Sequence, residues 1–363
     1  MAKSEKKTVM AMTPIRQEDK IKMQIELLTF EKALSQAKEK KRLLLGNGFS
    51  MAWNKDIFSY NALLDEADFS SVSSYARKVF DLFGTQNFEE IIRKLYDTVK
   101  ILTLYAGEDT KQSKILASDA DKLKEILVKV IAGKHPDRPN RVDIGQYKAC
   151  AKFLCNFEKI YTLNYDLLLY WTLINDMGGD RLIKSINDGF VMPEEGQQEY
   201  VIWDGSHPNQ QNVFYLHGGL HIFDAGTEFK KLTYCNTQIP LMDQIRNALQ
   251  NDLYPHFVAE GSSQEKLECV NHSIFLNKGY KSLQGITGNL FVFGHAMAEN
   301  DEHILKIIEN SKVDNVFVSI YGDPTSQRNQ HIIARTTDMK NKRHGKHSLE
   351  VYFFDAESAR VWG

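Results

Sequence analysis

Lys41-Arg42-Leu43-Leu44-Leu45-Gly46-Asn47-Gly48-Phe49-Ser50 is the stretch that decides the fold. Its three leucines form a short apolar run that stops at two glycines. That is the pattern of a buried parallel strand opening into a turn at its carboxyl end. Glycine admits positive φ and lets backbone N–H groups come close to a phosphate, although a tight turn with no ligand reads equally well. Met51 stands where the third glycine of G-x-G-x-x-G would fall, and no Walker lysine follows. The chemistry must therefore be sought elsewhere in the chain.

The same texture recurs downstream. Lys159–Leu163 ends in Asn164-Tyr165-Asp166, Asn212–Leu216 in His217-Gly218-Gly219, and Leu290–Phe293 in Gly294-His295-Ala296. Asn315–Tyr321 ends in Gly322-Asp323-Pro324, and Leu349–Phe354 in Asp355-Ala356-Glu357-Ser358. Helical patterns, such as the leucine-rich Leu167–Ile174, separate most of these runs. Short continuous apolar strands alternating with helices predict an α/β protein with a Rossmann-like parallel sheet covered by helices on both faces. Ligands of such sheets bind beyond the carboxyl ends of the strands, where this polar punctuation would gather.

Composition narrows the class. The chain has 363 residues, 42% hydrophobic and 25% charged, ordinary values for a globular protein with a sizeable core. A net charge of −2 gives no footprint for direct nucleic-acid binding. The basic cluster Lys340–Lys346 reads as a solvated turn. Cys150, Cys155, Cys235 and Cys269 form no C-x-x-C pair, so neither a zinc ribbon nor a disulfide framework is indicated. No apolar run approaches the ~20 residues that span a bilayer, and no signal region follows the charged N-terminus. A reduced, cytoplasmic setting fits.

Three parts are expected. Residues 1–40 hold a disordered stretch to about residue 14 and then an amphipathic helix over Ile15–Lys40, with Ile21, Ile25, Leu28 and Leu34 near helical spacing. Residues 41–59 and 158–363 make the sheet domain. Residues 60–157 read as a helical insertion, with helices over Ser73–Phe83, Phe88–Tyr105, Ala117–Ile131 and Tyr147–Phe157 and a loop at Pro136–Asn140. Such a block could cap a site or carry an oligomer contact.

Each polar motif has an ordinary reading. Asn164 could cap the helix that begins near Asp166. His217 could be a histidine satisfied in a turn. His217 and His221 are four apart, but Gly218-Gly219 disfavours a helix and no H-E-x-x-H glutamate is present, so zinc is not expected there. Asp301 and His303 open the helical run Ile304–Ile308 and read at least as well as N-terminal capping residues as they do as ligand contacts.

In order, however, Gly-Asn-Gly-Phe-Ser, Thr-Leu-Asn-Tyr-Asp, Leu-His-Gly and Gly-His-Ala, each at a strand end, resemble the sirtuin signature. The chain is more closely similar to bacterial sirtuin-like proteins that cleave NAD in anti-phage defence. Their later motif commonly reads Gly-His-Ser-Leu followed by Asp-x-His-Ile; here it is Gly294-His295-Ala296-Met297 and Asp301-Glu302-His303-Ile304. The resemblance implies that Gly46, Asn47, Gly48 and Ser50 hold the NAD phosphates and that Asn164 orients the nicotinamide ribose or an attacking water. It implies that Asp166 grips the carboxamide and that His217 is the general base. Gly294, His295 and Ala296 would lie against the adenosine ribose without the usual hydroxyl pair, and Asp355–Ser358 could border the adenine. The paired zinc cysteines of sirtuin deacylases are missing. Their arginine-containing segment is replaced by Asn54–Ser59, with a loose echo in Asp56 and Phe58. Water is therefore the expected acceptor, NAD the expected substrate, and no metal is expected.

These residue types suit that chemistry. Nicotinamide leaves NAD as a neutral molecule through a transition state like an oxocarbenium ion. Asp166 can accept from the carboxamide, the Asn164 amide can both donate and accept, and His217 can take a proton near neutral pH. An NAD or ADP-ribose sensor and a sirtuin-type transferase or deacylase remain as alternatives. A dehydrogenase would place an acid about twenty residues after the glycines; Asp65 and Glu66 lie there, but in a helical pattern. An enzyme that destroys NAD needs control, so homo-oligomerisation or a partner ATPase or sensor protein is expected. The chain carries no sensor motif of its own.

Overall fold

The structure, a computed structural model, describes residues 26–107, 110–193, 199–205, 210–251, 253–258, 263–343 and 348–363. Its strands are β1 (Lys41–Leu45), β2 (Lys159–Thr162), β3 (Phe190–Val191), β4 (Tyr200–Trp203) and β5 (Val213–Tyr215), followed by β6 (Ile222–Asp224), β7 (Phe229–Leu232), β8 (Thr287–Phe293), β9 (Lys312–Ile320) and β10 (Glu350–Asp355). Six of them form one sheet in the order β10-β9-β8-β1-β2-β5, parallel at every pairing. Taken in chain order, that is the 3-2-1-4-5-6 arrangement of a doubly wound sheet. The order reverses between β1 and β8, so the crevice of such a fold opens at the ends of those two strands.

The leucine run is central because it must be. Leu43, Leu44 and Leu45 are fully buried between β2 and β8, and a continuously apolar strand is stable only with both faces covered. Helices flank the sheet: Ile274–Gln284 packs on β5, and Phe30–Gln36 and Gln327–Lys342 pack on β10. No described helix is long and apolar enough to cross a membrane.

Between β1 and β2 the described chain is helical, with Tyr60–Asp65, Ala76–Phe83, Phe88–Ala106, Lys111–Lys134 and Ile144–Leu154 as its longer elements. The third expected helix starts six residues early because Thr110 caps it, its hydroxyl accepting the Ser113 N–H at 3.0 Å. The fourth is shifted towards the N-terminus by a capping box between Asp143 and Gln146. Part of the expected proline loop is a short 3-10 turn, Pro139–Arg141.

Three expectations need correction. Of the helix expected over Ile15–Lys40, the described part, from residue 26, is helical at Phe30–Gln36 alone; residues 1–25 lie outside the described residues, as does the stretch expected to be disordered. Thr29 caps this helix and leaves Leu28 extended, bridging in parallel to Phe354. Arg343 is not in a solvated turn. Its guanidinium donates to the carbonyls of Ile308 at 2.7 Å and Glu309 at 2.9 Å, closing the end of helix Glu302–Asn310, while residues 344–347 lie outside the described ones. Finally, a second, antiparallel sheet in the order β3-β4-β7-β6 was not expected. Its strands are two to four residues long; the apolar run of β4, Tyr200-Val201-Ile202-Trp203, is only half-buried, and Lys230 and Lys231 interrupt β7.

Candidate active site

At the switch point the turns after β1 and β8 press against each other. Gly48 N–H donates to the Gly294 carbonyl at 2.8 Å, and Gly46 N–H donates to Phe293 at 2.9 Å. A Cβ on Gly48 would lie 2.5 Å from Gly294 Cα, and Gly294 has φ +69°. Glycine is demanded here by backbone contact. The amides of Phe49 and Ser50 bond to Gly46 and Asn47 within the turn. These N–H groups are thus engaged by the protein itself rather than laid open as a phosphate cradle. The Trp362 indole N–H donates to the Phe49 carbonyl at 2.9 Å and pins the short helix Gly48–Trp53.

Ser50 is fully buried and does not face solvent. Its hydroxyl donates to Asp166 and accepts from Asn164 Nδ2 at 2.9 Å. Asn164 follows β2, and its backbone N–H is tied to Thr162 Oγ1 at 3.0 Å. It is therefore not the helix cap; Leu167 holds that position, and the other oxygen of Asp166 accepts the Leu168 N–H at 2.8 Å where helix Leu168–Gly178 begins. Burial pushes the Asp166 carboxyl up, against the opposing hydrogen bonds from Ser50 and Leu168.

His217 follows β5 and is buried. Its carbonyl accepts the Val258 N–H at 2.9 Å, and the strand-like segment at 256–258 passes so close that a Cβ on Gly218, φ +76°, would meet the His256 carbonyl oxygen at 2.0 Å. Its Nε2 faces Nε2 of His303 at 3.3 Å. Burial, and then the nearby Lys266 ammonium, hold the imidazole well below its usual pKa, so it is neutral at pH 7. His303, pushed down to about 4 chiefly by burial, is neutral too.

Asp301 and His303 turn inward. Asp301 makes no side-chain cap of helix Glu302–Asn310. Instead its carboxylate receives Lys266 Nζ at 3.2 Å and His295 Nε2 at 3.0 Å. Burial would push this carboxyl up, but the Lys266 charge and the His295 hydrogen bond outweigh it and hold it well below the carboxylate range. His295 Nδ1 accepts the Met297 N–H at 3.1 Å, which leaves the His295 proton on Nε2, pointed at Asp301. Sequence reasoning missed Lys266 altogether. It lies mid-helix in Ser263–His272, where a lysine reads as solvated, and yet is 1% exposed.

A cavity of about 460 Å³ gathers these groups: Gly46, Asn47, Gly48, Asn164, Asp166, His217, Gly294, His295 and Ala296 all line it. Ser50 supports it from beneath. Phe58 lines it too, as do Leu63, Asn87 and Ile131 from the helical block. A second cavity of about 430 Å³ lies across the Gly48–Gly294 contact, lined by Ser319, Arg328, Asn329, Glu357 and Trp362 among others. Of the segment placed near the adenine, Ala356 and Glu357 reach this second cavity. Ser358 instead accepts the Phe30 N–H at 2.8 Å. Lys55 and Arg328 line both cavities at their shared waist.

Among the described residues, His217, Asp301 and His303 form a group whose donor atoms lie within 4.8 Å of one another, and two imidazoles with a carboxylate are a donor set a metal ion accepts. Here both Asp301 oxygens are engaged by Lys266 and His295, and the two Nε2 atoms face each other. The fit to a cation is poor, because the Lys266 ammonium already balances the carboxylate. His221 takes no part in the group; it is buried against Tyr170 and Tyr215.

Sheet order and cleft together define a doubly wound, Rossmann-like α/β protein with a two-lobed crevice at its switch point. The chain belongs to the family described as Domain of unknown function (DUF4917), whose model matches residues 43–362. No curated protein matches it. A solved structure described as "The Structural basis of Sirtuin Substrate Affinity" is similar at a TM-score of 0.34 and 14% identity, over 91% of this chain and 95% of that chain. A likeness of that size bears on neither activity nor substrate.

Proposed function

We propose that this protein hydrolyses NAD to nicotinamide and ADP-ribose. The observation that carries the proposal is the meeting of Asn164, Asp166 and His217, from the ends of two adjacent strands, in one lobe of a cleft whose second lobe lies across a two-glycine waist. A dinucleotide has that two-part form. The nicotinamide end would lie in the first lobe, with Asp166 accepting from the carboxamide. The adenosine would occupy the second lobe.

In the reaction the ribose C1′–N bond breaks and its electron pair leaves with the pyridine nitrogen. A water oriented by Asn164 adds its oxygen to C1′, and its proton passes to neutral His217. Purified protein incubated with NAD, beside Asn164→Ala and His217→Ala, tests this by chromatography. Nicotinamide and ADP-ribose from the parent, reduced roughly 10²–10⁴-fold in each variant, support it. Full cleavage by a folded His217→Ala protein would sink it.

The wider role we propose is that of a regulated effector of anti-phage defence, resting on the sequence resemblance. Control would act through the helical block, which supplies part of the wall of the first lobe. Tyr75, Leu82, Leu104 and Tyr105, all strongly exposed on or beside its helices, are candidate contacts for a second copy or an activating partner.

A further inference from the structure

Behind the proposed base stands a second histidine for which the mechanism above has no use. His303 Nε2 lies 3.3 Å from His217 Nε2, and the two rings are stacked with planes 15° apart. His217 lines the first lobe, whereas His303 is 4% exposed and lies outside the lining. The contact therefore engages His217 Nε2 from behind and leaves Nδ1 as the ring nitrogen available to the cavity.

A neutral imidazole carries one proton. For Nδ1 of His217 to accept a second, the first must sit on Nε2, where His303 Nε2 receives it. We infer that His303 is the positioning residue of the base: it orients the His217 ring towards the cavity and shares the proton that His217 takes up. The inference rests on the proposed NAD cleavage. The water O–H bond breaks, its proton binds His217 Nδ1, and the Nε2 proton moves onto His303 Nε2. The positive charge, spread over both rings, is opposed by the Asp301 carboxylate from the turn Glu299–Asp301. The other titratable groups around the pair are Lys266 on helix Ser263–His272, His295 after β8, and Tyr280 on helix Ile274–Gln284, whose ring stacks on His303 at 5.9 Å.

Among the described residues, His303 Nδ1 and the Tyr280 hydroxyl are buried without a hydrogen-bond partner, and the hydrogen-bond contact of the His303 ring is with His217. A histidine kept for packing would not need its Nε2 to fall on the base.

Two variants and one spectrum test this. His303→Leu removes the contact; His303→Gln returns an amide that can donate or accept at nearly the same place. The expected result is a kcat about 10–100-fold lower in His303→Leu, with KM within about threefold and the acid limb of kcat moved to lower pH, because the charged base has lost its acceptor. His303→Gln recovers most of kcat. In nitrogen-15 histidine spectra, His217 and His303 show complementary tautomers, one Nδ1–H and the other Nε2–H, and the His217 signal changes in His303→Leu. A folded His303→Leu protein with the parent's kcat and acid limb overturns the inference, as do identical tautomers for the two rings. If the parent protein releases no nicotinamide, the proposed reaction fails, and the tautomer spectra alone decide whether the pair exists.

Discussion

Gly48 and Gly294 touch backbone to backbone across the centre of the sheet, joined by a 2.8 Å hydrogen bond and with no room for a Cβ on either. The contact sets the width of the waist between the two lobes. Gly294→Ala adds positive-φ strain to a backbone clash and is expected to cost about 2–4 kcal/mol. Gly48→Ala suffers the clash alone. Denaturant titration of both variants measures this, and unchanged midpoints would show that the turns separate easily.

Ser50 illustrates a residue found by its motif and placed in a different job. Ser50→Ala leaves Asn164 Nδ2 and one Asp166 oxygen without their shared hydroxyl, a loss of about 1–3 kcal/mol in stability. Because both groups are proposed to orient substrate, kcat is expected to fall with it. Parent-like stability combined with a raised KM for NAD would instead return Ser50 to phosphate binding.

The buried Lys266 ammonium pairs with the Asp301 carboxylate, whose side chain is 16% exposed. Lys266→Met strands the carboxylate with His295 alone and is expected to cost about 3–5 kcal/mol. The double variant Lys266→Met/Asp301→Asn removes the stranded charge and recovers part of that loss. A double-mutant cycle by thermal or denaturant unfolding reads the coupling directly; additive losses would show that the pair is not coupled.

Acid sensitivity has an identifiable source in His135, which lines neither cavity. His135 Nε2 accepts the Leu167 N–H at 3.1 Å and its Nδ1–H donates to the Pro136 carbonyl at 3.1 Å, a pattern only the neutral ring can make. Burial lowers its pKa from the ordinary 6.5 to about 4. The unfolded chain therefore binds a proton that the folded chain refuses. Its stabilising effect is complete above pH 6.5, falls as pH drops towards 4, and amounts to on the order of 3 kcal/mol over that window. Melting temperature against pH for the parent and His135→Gln should show a flatter acid slope in the variant; parallel slopes would assign the loss to other groups.

Lys55 and Arg328 carry the remaining prediction. With the Gly46, Gly48, Phe49 and Ser50 amides bonded within the protein, we propose that these two cations, which line both lobes, meet the diphosphate of the proposed substrate. The Lys55→Ala/Arg328→Ala variant is expected to raise KM for NAD about tenfold, leave kcat within about threefold, and weaken the salt dependence of KM. An unchanged KM would return phosphate binding to the glycine turn.

The sheet was legible because its strands are continuous apolar runs that stop at glycine, asparagine or histidine. Leu43–Leu45 and Leu290–Phe293 need both faces covered, and that requirement alone points to a parallel sheet. The antiparallel sheet was not legible, since Phe229-Lys230-Lys231-Leu232 looks like a charged loop until its register with β4 and β6 is known. At the site, the residues next to strand ends were found and Asp301 and His303 were marked by their motif, whereas Lys266, brought in by a helix, was missed. Nothing near Lys266 in sequence indicates that Asp301 will cover it, and Asp301-Glu302-His303 has the composition of an ordinary helix start. Long-range pairing of single side chains leaves no periodicity to detect.

Phe58, Leu63, Asn87 and Ile131, which wall the first lobe, all come from one insertion, between β1 and β2, which are neighbours in the sheet. For evolution this separates two inheritances. The strand-end chemistry is fixed by the geometry of the sheet, while the inserted block can lengthen, shorten or change its outer face without moving a strand. Relatives that share Asn164 and His217 should therefore differ most in what opens the cleft.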